Sequence, residues 1–308
     1  MPIHVIDTDM NYDLQLVMYP SFLLPLVSIS DNTLTKMWGV CRGLRARKSG
    51  AKIIVEHGDS QCIEYAYEIL GLWFTPSADS VSDDYRDFAE ILVENYSWFG
   101  IATSPLDDVE LFASIFLSQN TDFHVNVVKW MSRILEIYGS IDAVLSVSVD
   151  RLVKDVGKSY QVRNLLQALN KYMELRNTLI ACNSEEARPA LLSIKGVGPK
   201  VLHSYLLFVK KDLNCAAVDK NLLSFLKRFE VLSNIVADMP RKDMCTKYSC
   251  QFCSFNKRCT YYRFHRAFGR LSGWIQTIAY MHNKLLCRNR LCERCFLKHM
   301  CKDFRDRR

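Results

Sequence analysis

The sequence predicts a mainly α protein that opens with a small antiparallel β domain, an α+β chain closed by cysteine-ligated loops. Three observations predict it. β-branched and aromatic runs fill about the first sixty residues, and helical periodicity takes over from residue 83. Eight of the twelve cysteines then form two copies of one C-x4-C-x2-C-x5-C spacing.

The N-terminal runs IHVID, LQLVMY, TLTKMWGVC and AKIIVEHG are separated by turn residues such as Asp31-Asn32 and Ser49-Gly50, and are expected to be strands. QCIEYAYEILGL reads as a helix, and TPSADSVSDD as a polar linker. Helical spacing follows in DDVELFASIFLSQ, then in DFHVNVVKWMSRILEIYG with Gly139 as its stop. IDAVLSV, VDRLVKDVG, SYQVRNLLQALNKYMELRNTLI and SEEARPALLSI continue the pattern. The expected domains are 1–75, strand-rich; 83–235, helical; and 236–308, the C-terminal helices with both cysteine loops.

A chain of 308 residues, 49% hydrophobic, can bury a substantial core. Its net charge of +7 suits a polyanionic partner, although a solvated lysine-rich surface would carry the same charge. MPIHVIDTDM has neither the basic start nor the apolar run of a signal peptide, and no uncharged apolar stretch reaches the roughly 18 residues of a membrane helix. The expectation is a soluble, intracellular monomer, in the cytoplasm or nucleoid, with Cys41, Cys62, Cys182 and Cys215 as reduced thiols.

Residues 191–209, LLSIKGVGPKVLHSYLLFV, read as helix, tight turn, helix. Gly196 and Gly198 permit positive φ and let a phosphate approach the backbone; Val197 lies between them. Pro199 suits the first position of the second helix, whose exposed amides make an anion site. Lys200 follows. The positive end of a helix and partial burial both disfavour its ammonium, and a neutral amine can attack a sugar carbon. Taken alone, the segment also fits a plain helical corner with an exposed lysine.

Asp219 stands just before the helical pattern KNLLSFLKR, where an N-cap is the simplest role. The helix after Lys200 spans roughly 15 Å. The connection KKDLNCAAV reaches up to about 30 Å, which is enough to return Asp219 to Lys200. A carboxylate there could stabilise a cationic sugar or take a proton from the amine.

Cys245, Cys250, Cys253 and Cys259 form the first cysteine set, and Cys287, Cys292, Cys295 and Cys301 the second. Four thiolates at such spacing serve zinc or an iron-sulfur cluster. Lys247, Lys257, Arg258, Arg288, Arg290, Arg294 and Lys298 lie among them, suited to DNA phosphates or simply to solubility.

Lys200 in I-K-G-V-G-P-K, followed by V-D-K-N-L-L-S-F-L-K-R, resembles the helix-hairpin-helix DNA glycosylase superfamily. The resemblance covers residues 83–308 and implies Lys200 as nucleophile, Asp219 as catalytic carboxylate and Arg228 as the close of the second motif. Asn221 stands where a histidine is common. ELFASIFLSQNTDFHVN resembles the helix junction that offers a wedge to the space left by a flipped base. Gln119 takes that position, and Asn120, Gly196, Val197 and Gly198 complete the implied DNA contacts. VGKSYQVRNLLQAL resembles the next helix start of that family.

The second cysteine set, preceded by GRLSGWIQTIAYMHNKLL, resembles the C-terminal [4Fe-4S] loop of endonuclease III, with a first spacing of four rather than six residues. The first set has no counterpart in the usual pattern. Its identical spacing suggests a second [4Fe-4S] cluster, with zinc the alternative. The strand-rich N-terminus resembles the extra domain of 8-oxoguanine and alkylpurine glycosylases.

The expected function is therefore that of a base-excision DNA glycosylase with AP-lyase activity, acting on double-stranded DNA with a damaged base or abasic site. Oxidised purine is the first expected lesion and oxidised pyrimidine the second. A non-catalytic DNA-binding protein is the rival reading, and a two-cluster electron carrier the third.

Overall fold

A computed structural model describes residues 3–305. Its strands are β1 (Ile3–Asp7), β2 (Val27–Ser30), β3 (Thr33–Lys36), β4 (Arg45–Ser49) and β5 (Lys52–Glu56). The helices begin with α1 (Leu14–Met18), α2 (Ser60–Ile69), α3 (Asp83–Tyr96), α4 (Asp108–Leu117), α5 (Val128–Tyr138), α6 (Val149–Val156) and α7 (Tyr160–Ala181). They continue with α8 (Ser184–Ser193), α9 (Pro199–Phe208), α10 (Lys220–Arg228), α11 (Glu230–Ser233), α12 (Lys242–Lys247), α13 (Thr260–Phe268), α14 (Ser272–Met281) and α15 (Lys302–Arg305). No helix among the described residues is long and apolar enough to cross a membrane.

The strands form one antiparallel sheet in the order β1-β5-β4-β3-β2. Asp31 and Asn32, both at positive φ, close the two-residue turn between β2 and β3, as their side chains favour. Ile6, Leu34, Ala46, Ile53 and Val55 are buried. The sheet differs from expectation in three places. LQLVMY is a helix, α1, because the Asp13 carboxylate caps it at the Leu16 amide and Leu14, Val17 and Met18 bury one helical face. β2 and β4 were not anticipated. β4 reads RARKS, too polar to look like a strand, yet it pairs on both sides and turns only Ala46 fully inward.

Cys41 and Cys62 correct a further expectation: they form a disulfide, with Cα atoms 5.5 Å apart. That spacing, set by the fold over 21 residues of separation, is what bridging requires and what a linear reading cannot see. Cys182 and Cys215 belong to no disulfide.

Chain contacts gather the residues into two compact units that cut across the linear division. One comprises residues up to Phe74, Trp98–Val197 and Phe208–Lys211; the other Thr75–Ser97, Gly198–Leu207 and residues from Asp212 onward. In the first, Lys36 at the end of β3 makes a buried 2.6 Å ion pair with Asp107, just before α4. The Ser104 hydroxyl and Val40 amide also donate to Asp107, so the buried carboxylate is fully paired. Asp108 accepts a bidentate pair from Arg176 and a bond from the Tyr172 hydroxyl, joining α4 to α7. The second unit buries Phe88 of α3, Phe225 of α10, Phe264 and Phe268 of α13, and Trp274 of α14.

Candidate active site and cysteine loops

The hairpin forms where the glycines predict it. α8 ends at Ser193, the Val197 amide donates to the Ile194 carbonyl, and α9 begins at Pro199. The two glycines serve different ends. Gly196 sits at φ +87°, with the ring of Phe116 only 3.0 Å from where a Cβ would stand. Gly198 is not in the left-handed region, contrary to the expectation for it, and a Cβ there would meet nothing within 4 Å. Its openness, not its φ, is what an approaching phosphate could use.

Lys200 lies in the first turn of α9 and is half-buried. Its pKa is held below the ordinary lysine value, chiefly by burial. Asp219 is close enough to pull it back up, while the neighbouring Lys220 pushes it down. Folding thus brings the two predicted catalytic residues together in the second unit. His203, one helical turn after Lys200, is buried with its ring stacked 3.7 Å from that of Tyr261.

Asp219 is also the cap predicted from its position. One carboxylate oxygen accepts the backbone amides of Asn221 and Leu222, each at 2.9 Å. The other accepts the Asn221 side-chain amide at 2.9 Å. Asn221 is 3% exposed, and its carbonyl accepts from Asn283 at 2.8 Å and from Arg288 at 3.4 Å. Asn283 in turn accepts from Arg228 at 3.1 Å, and Arg228 also pairs with Asp303. This chain of polar contacts holds the carboxylate oxygens in place. Sequence reasoning missed Asn283 and the part played by Asn221. The one local signal was the polar pair His282-Asn283 directly after α14, both of which the fold buries.

Of the implied DNA contacts, Gln119, Asn120, Gly196 and Val197 belong to the first unit, and Gly198 to the second. Asn120 holds a positive φ of 48° and donates to the Tyr160 hydroxyl. The Gln119 side chain donates to the Phe116 backbone carbonyl, and the Gln119 backbone carbonyl accepts from the Gln161 side chain. Phe116 therefore supports both predicted contacts, by its ring at Gly196 and by its carbonyl at Gln119.

Cys287, Cys292, Cys295 and Cys301 line one pocket with Arg228, Leu286, Lys298, Asp303 and Phe304. Burial raises the Cys295 thiol to about 11 and raises Cys287, and in both cases charge on the other cysteines adds to the rise. Arg228 opposes it at Cys287. Among the described residues, no three His, Cys, Asp or Glu side chains converge on a single ion position. His282, its pKa pushed down to about 4 by burial and by Arg228, bonds the Tyr96 hydroxyl at 2.5 Å and lies 3.9 Å from the Cys295 sulfur. In the first set, burial and the nearby charges of Cys250 and Cys253 raise the Cys259 thiol.

No protein-family model and no curated protein sequence matches the chain. Solved structures do. The 8-oxoguanine glycosylase/lyase of Clostridium acetobutylicum in its apo form matches with a TM-score of 0.66 at 15% identity, over 91% of this chain and 96% of that one. The 3-methyladenine DNA glycosylase of Archaeoglobus fulgidus matches at 0.63 and 16% identity, over 92% and 99%. Endonuclease III, trapped as a covalent intermediate with DNA, matches at 0.50 and 17% identity, over 72% and 97%. A five-stranded sheet, a glycine hairpin leading into the Lys200 helix, and overlap with these structures over 72–92% of the chain together give it the fold of the helix-hairpin-helix DNA glycosylase superfamily.

Proposed function

We propose that this protein is a base-excision DNA glycosylase with AP-lyase activity, and that Lys200 is its nucleophile. The observation that carries the reading is the half-buried Lys200 amine, lowered in pKa by its surroundings and within electrostatic reach of the fixed Asp219 carboxylate. The target nucleotide is flipped out of the duplex. The Lys200 lone pair attacks C1′, and the glycosidic bond breaks with its electrons leaving on the base. Asp219 stabilises positive charge on the sugar and accepts the proton released by the attacking amine. Opening of the sugar ring yields a C1′ Schiff base. Loss of a C2′ proton then expels the 3′ phosphate.

Oxidised purine is the proposed lesion, with oxidised pyrimidine second. The N-terminal sheet and the likeness to an 8-oxoguanine glycosylase/lyase support that order. The second cysteine set has the donors a [4Fe-4S] cluster takes, four thiols on one pocket, with Arg228 and Lys298 to offset their negative charge. Such a cluster would act structurally, cross-linking a loop whose residues 284–296 bury no side chain.

Borohydride trapping tests the reading directly. Wild-type protein should cross-link to duplexes with a single oxidised base or an abasic site. Lys200→Ala should abolish the cross-link and retain DNA binding. An undiminished cross-link in that variant would remove Lys200 from the role. A wild type that traps on no lesion, yet binds the duplex, would favour the non-catalytic DNA-binding reading.

A further inference from the structure

The first cysteine loop repeats the second in backbone as well as in spacing. Cys245 lies in the helical turn α12, and Cys287 ends the helical turn His282–Cys287. Cys250 and Cys292 each open a 3-10 turn. Cys253 and Cys295 close those turns, their amides donating to the Cys250 and Cys292 carbonyls at 3.4 and 3.0 Å. The Cys253 and Cys295 carbonyls then accept from Asn256 and Lys298, at 3.0 and 3.2 Å, where a second 3-10 turn begins. Cys259 and Cys301 cap that turn, donating to Asn256 and Lys298 at 3.0 and 3.2 Å. A helix starts at the next residue in both, at Thr260 and at Lys302. Each fourth cysteine also forms a β-bridge, Cys259 with Asp238 and Cys301 with Phe229.

A second observation asks for a cross-link. From residue 241 through 258 no side chain is buried. Ordering each residue costs backbone entropy, and this segment has little more than the partly buried Met244 and Phe255 side chains to offset it. The eight clustered cysteines form no disulfide. Hydrogen bonds tie Asp238 to Arg258 and Thr260, and Asn256 to the Cys250 and Gln251 carbonyls; the four sulfurs are the further groups able to cross-link the turns.

We propose that Cys245, Cys250, Cys253 and Cys259 bind a second [4Fe-4S] cluster that holds this loop in its folded form. The loop reproduces the backbone turns of the second set and carries the same four donors at the same spacing. Arg241 and Arg258 flank the Phe255 ring at 5.7 and 5.6 Å, each ion-paired, with Asp243 and Asp238. The inference rests on the four-iron reading of the second set but not on the chemistry of Lys200.

The test is metal content of the full-length protein purified anaerobically. The expected result is about eight irons and eight acid-labile sulfides, from two four-iron clusters. Cys250→Ser/Cys253→Ser should lose half the iron and become susceptible to trypsin at Lys247 and Lys257. Cys292→Ser/Cys295→Ser should lose the other half. Should either variant fail to fold, the wild-type count decides. Four irons retained in full by Cys250→Ser/Cys253→Ser, or four irons with one zinc, would overturn the proposal and leave the second set standing. Absence of iron from wild type would overturn both cluster readings, while leaving the trapping result to judge Lys200.

Discussion

Asp219 caps α10 and, in the proposed reaction, also serves as the catalytic carboxylate, and substitution can separate the two roles. Its first oxygen caps α10 through two backbone amides. Asn keeps an acceptor for those amides, so Asp219→Asn should retain the helix. It turns a donor toward the Asn221 amide, at a cost of about 1 kcal/mol. The lost charge should lower base release on the order of 100-fold, measured under single-turnover conditions. Turnover near wild type would reduce Asp219 to a cap. The pH profile follows from Lys200. Burial lowers its pKa, so the amine neutralises below the ordinary lysine range, and trapping should rise with pH and level off there. Asp219 opposes that shift, so in Asp219→Asn the plateau should begin at lower pH. The same burial makes the charged ammonium unfavourable in the fold. The unfolded chain binds more protons between the two pKa values, so this penalty is present below the folded pKa and is relieved as pH rises through that window.

At the scale of elements, the hairpin separates folding from binding. Gly196→Ala places a Cβ at φ +87° and 3.0 Å from Phe116, two faults at once, and should cost about 2 kcal/mol in denaturant unfolding. Gly198→Ala meets open space and should leave stability within about 0.5 kcal/mol. If the hairpin backbone holds a phosphate, the added methyl group would stand in its approach, and duplex affinity should fall. If Gly198→Ala binds DNA as wild type does, the hairpin backbone is not a phosphate site. This asymmetry was hidden in the sequence, where the two glycines look alike. Only the packing of α4 against the turn, through Phe116, tells them apart.

For the whole molecule, a net charge of +7 predicts how affinity responds to salt. If the hairpin and the basic loop residues hold phosphates, log K should fall linearly with log salt, with a slope of about −0.9 per phosphate contacted. Replacing Lys257 by Ala should flatten that slope by about one contact. A slope near zero on a lesion duplex would contradict phosphate binding altogether.

Much of this protein was legible in its residues because the signals were local. Glycine and proline placed the hairpin, Asp219 marked the start of α10, and helical periodicity marked α4, α5 and α7. The two cysteine sets showed their kinship in spacing alone. Other features belonged to tertiary structure because distant segments create them. LQLVMY became a helix through its Asp13 cap, and RARKS became a central strand because neighbours on both sides supplied its hydrogen bonds. Cys41 met Cys62 only when the sheet carried one to the other. The polar chain Asp219–Asn221–Asn283–Arg228 joins residues as far as 62 positions apart and could not be read from spacing. The lowered pKa of Lys200 was expected partly from the helix terminus, but burial is its chief cause, and burial exists only after the chain has packed.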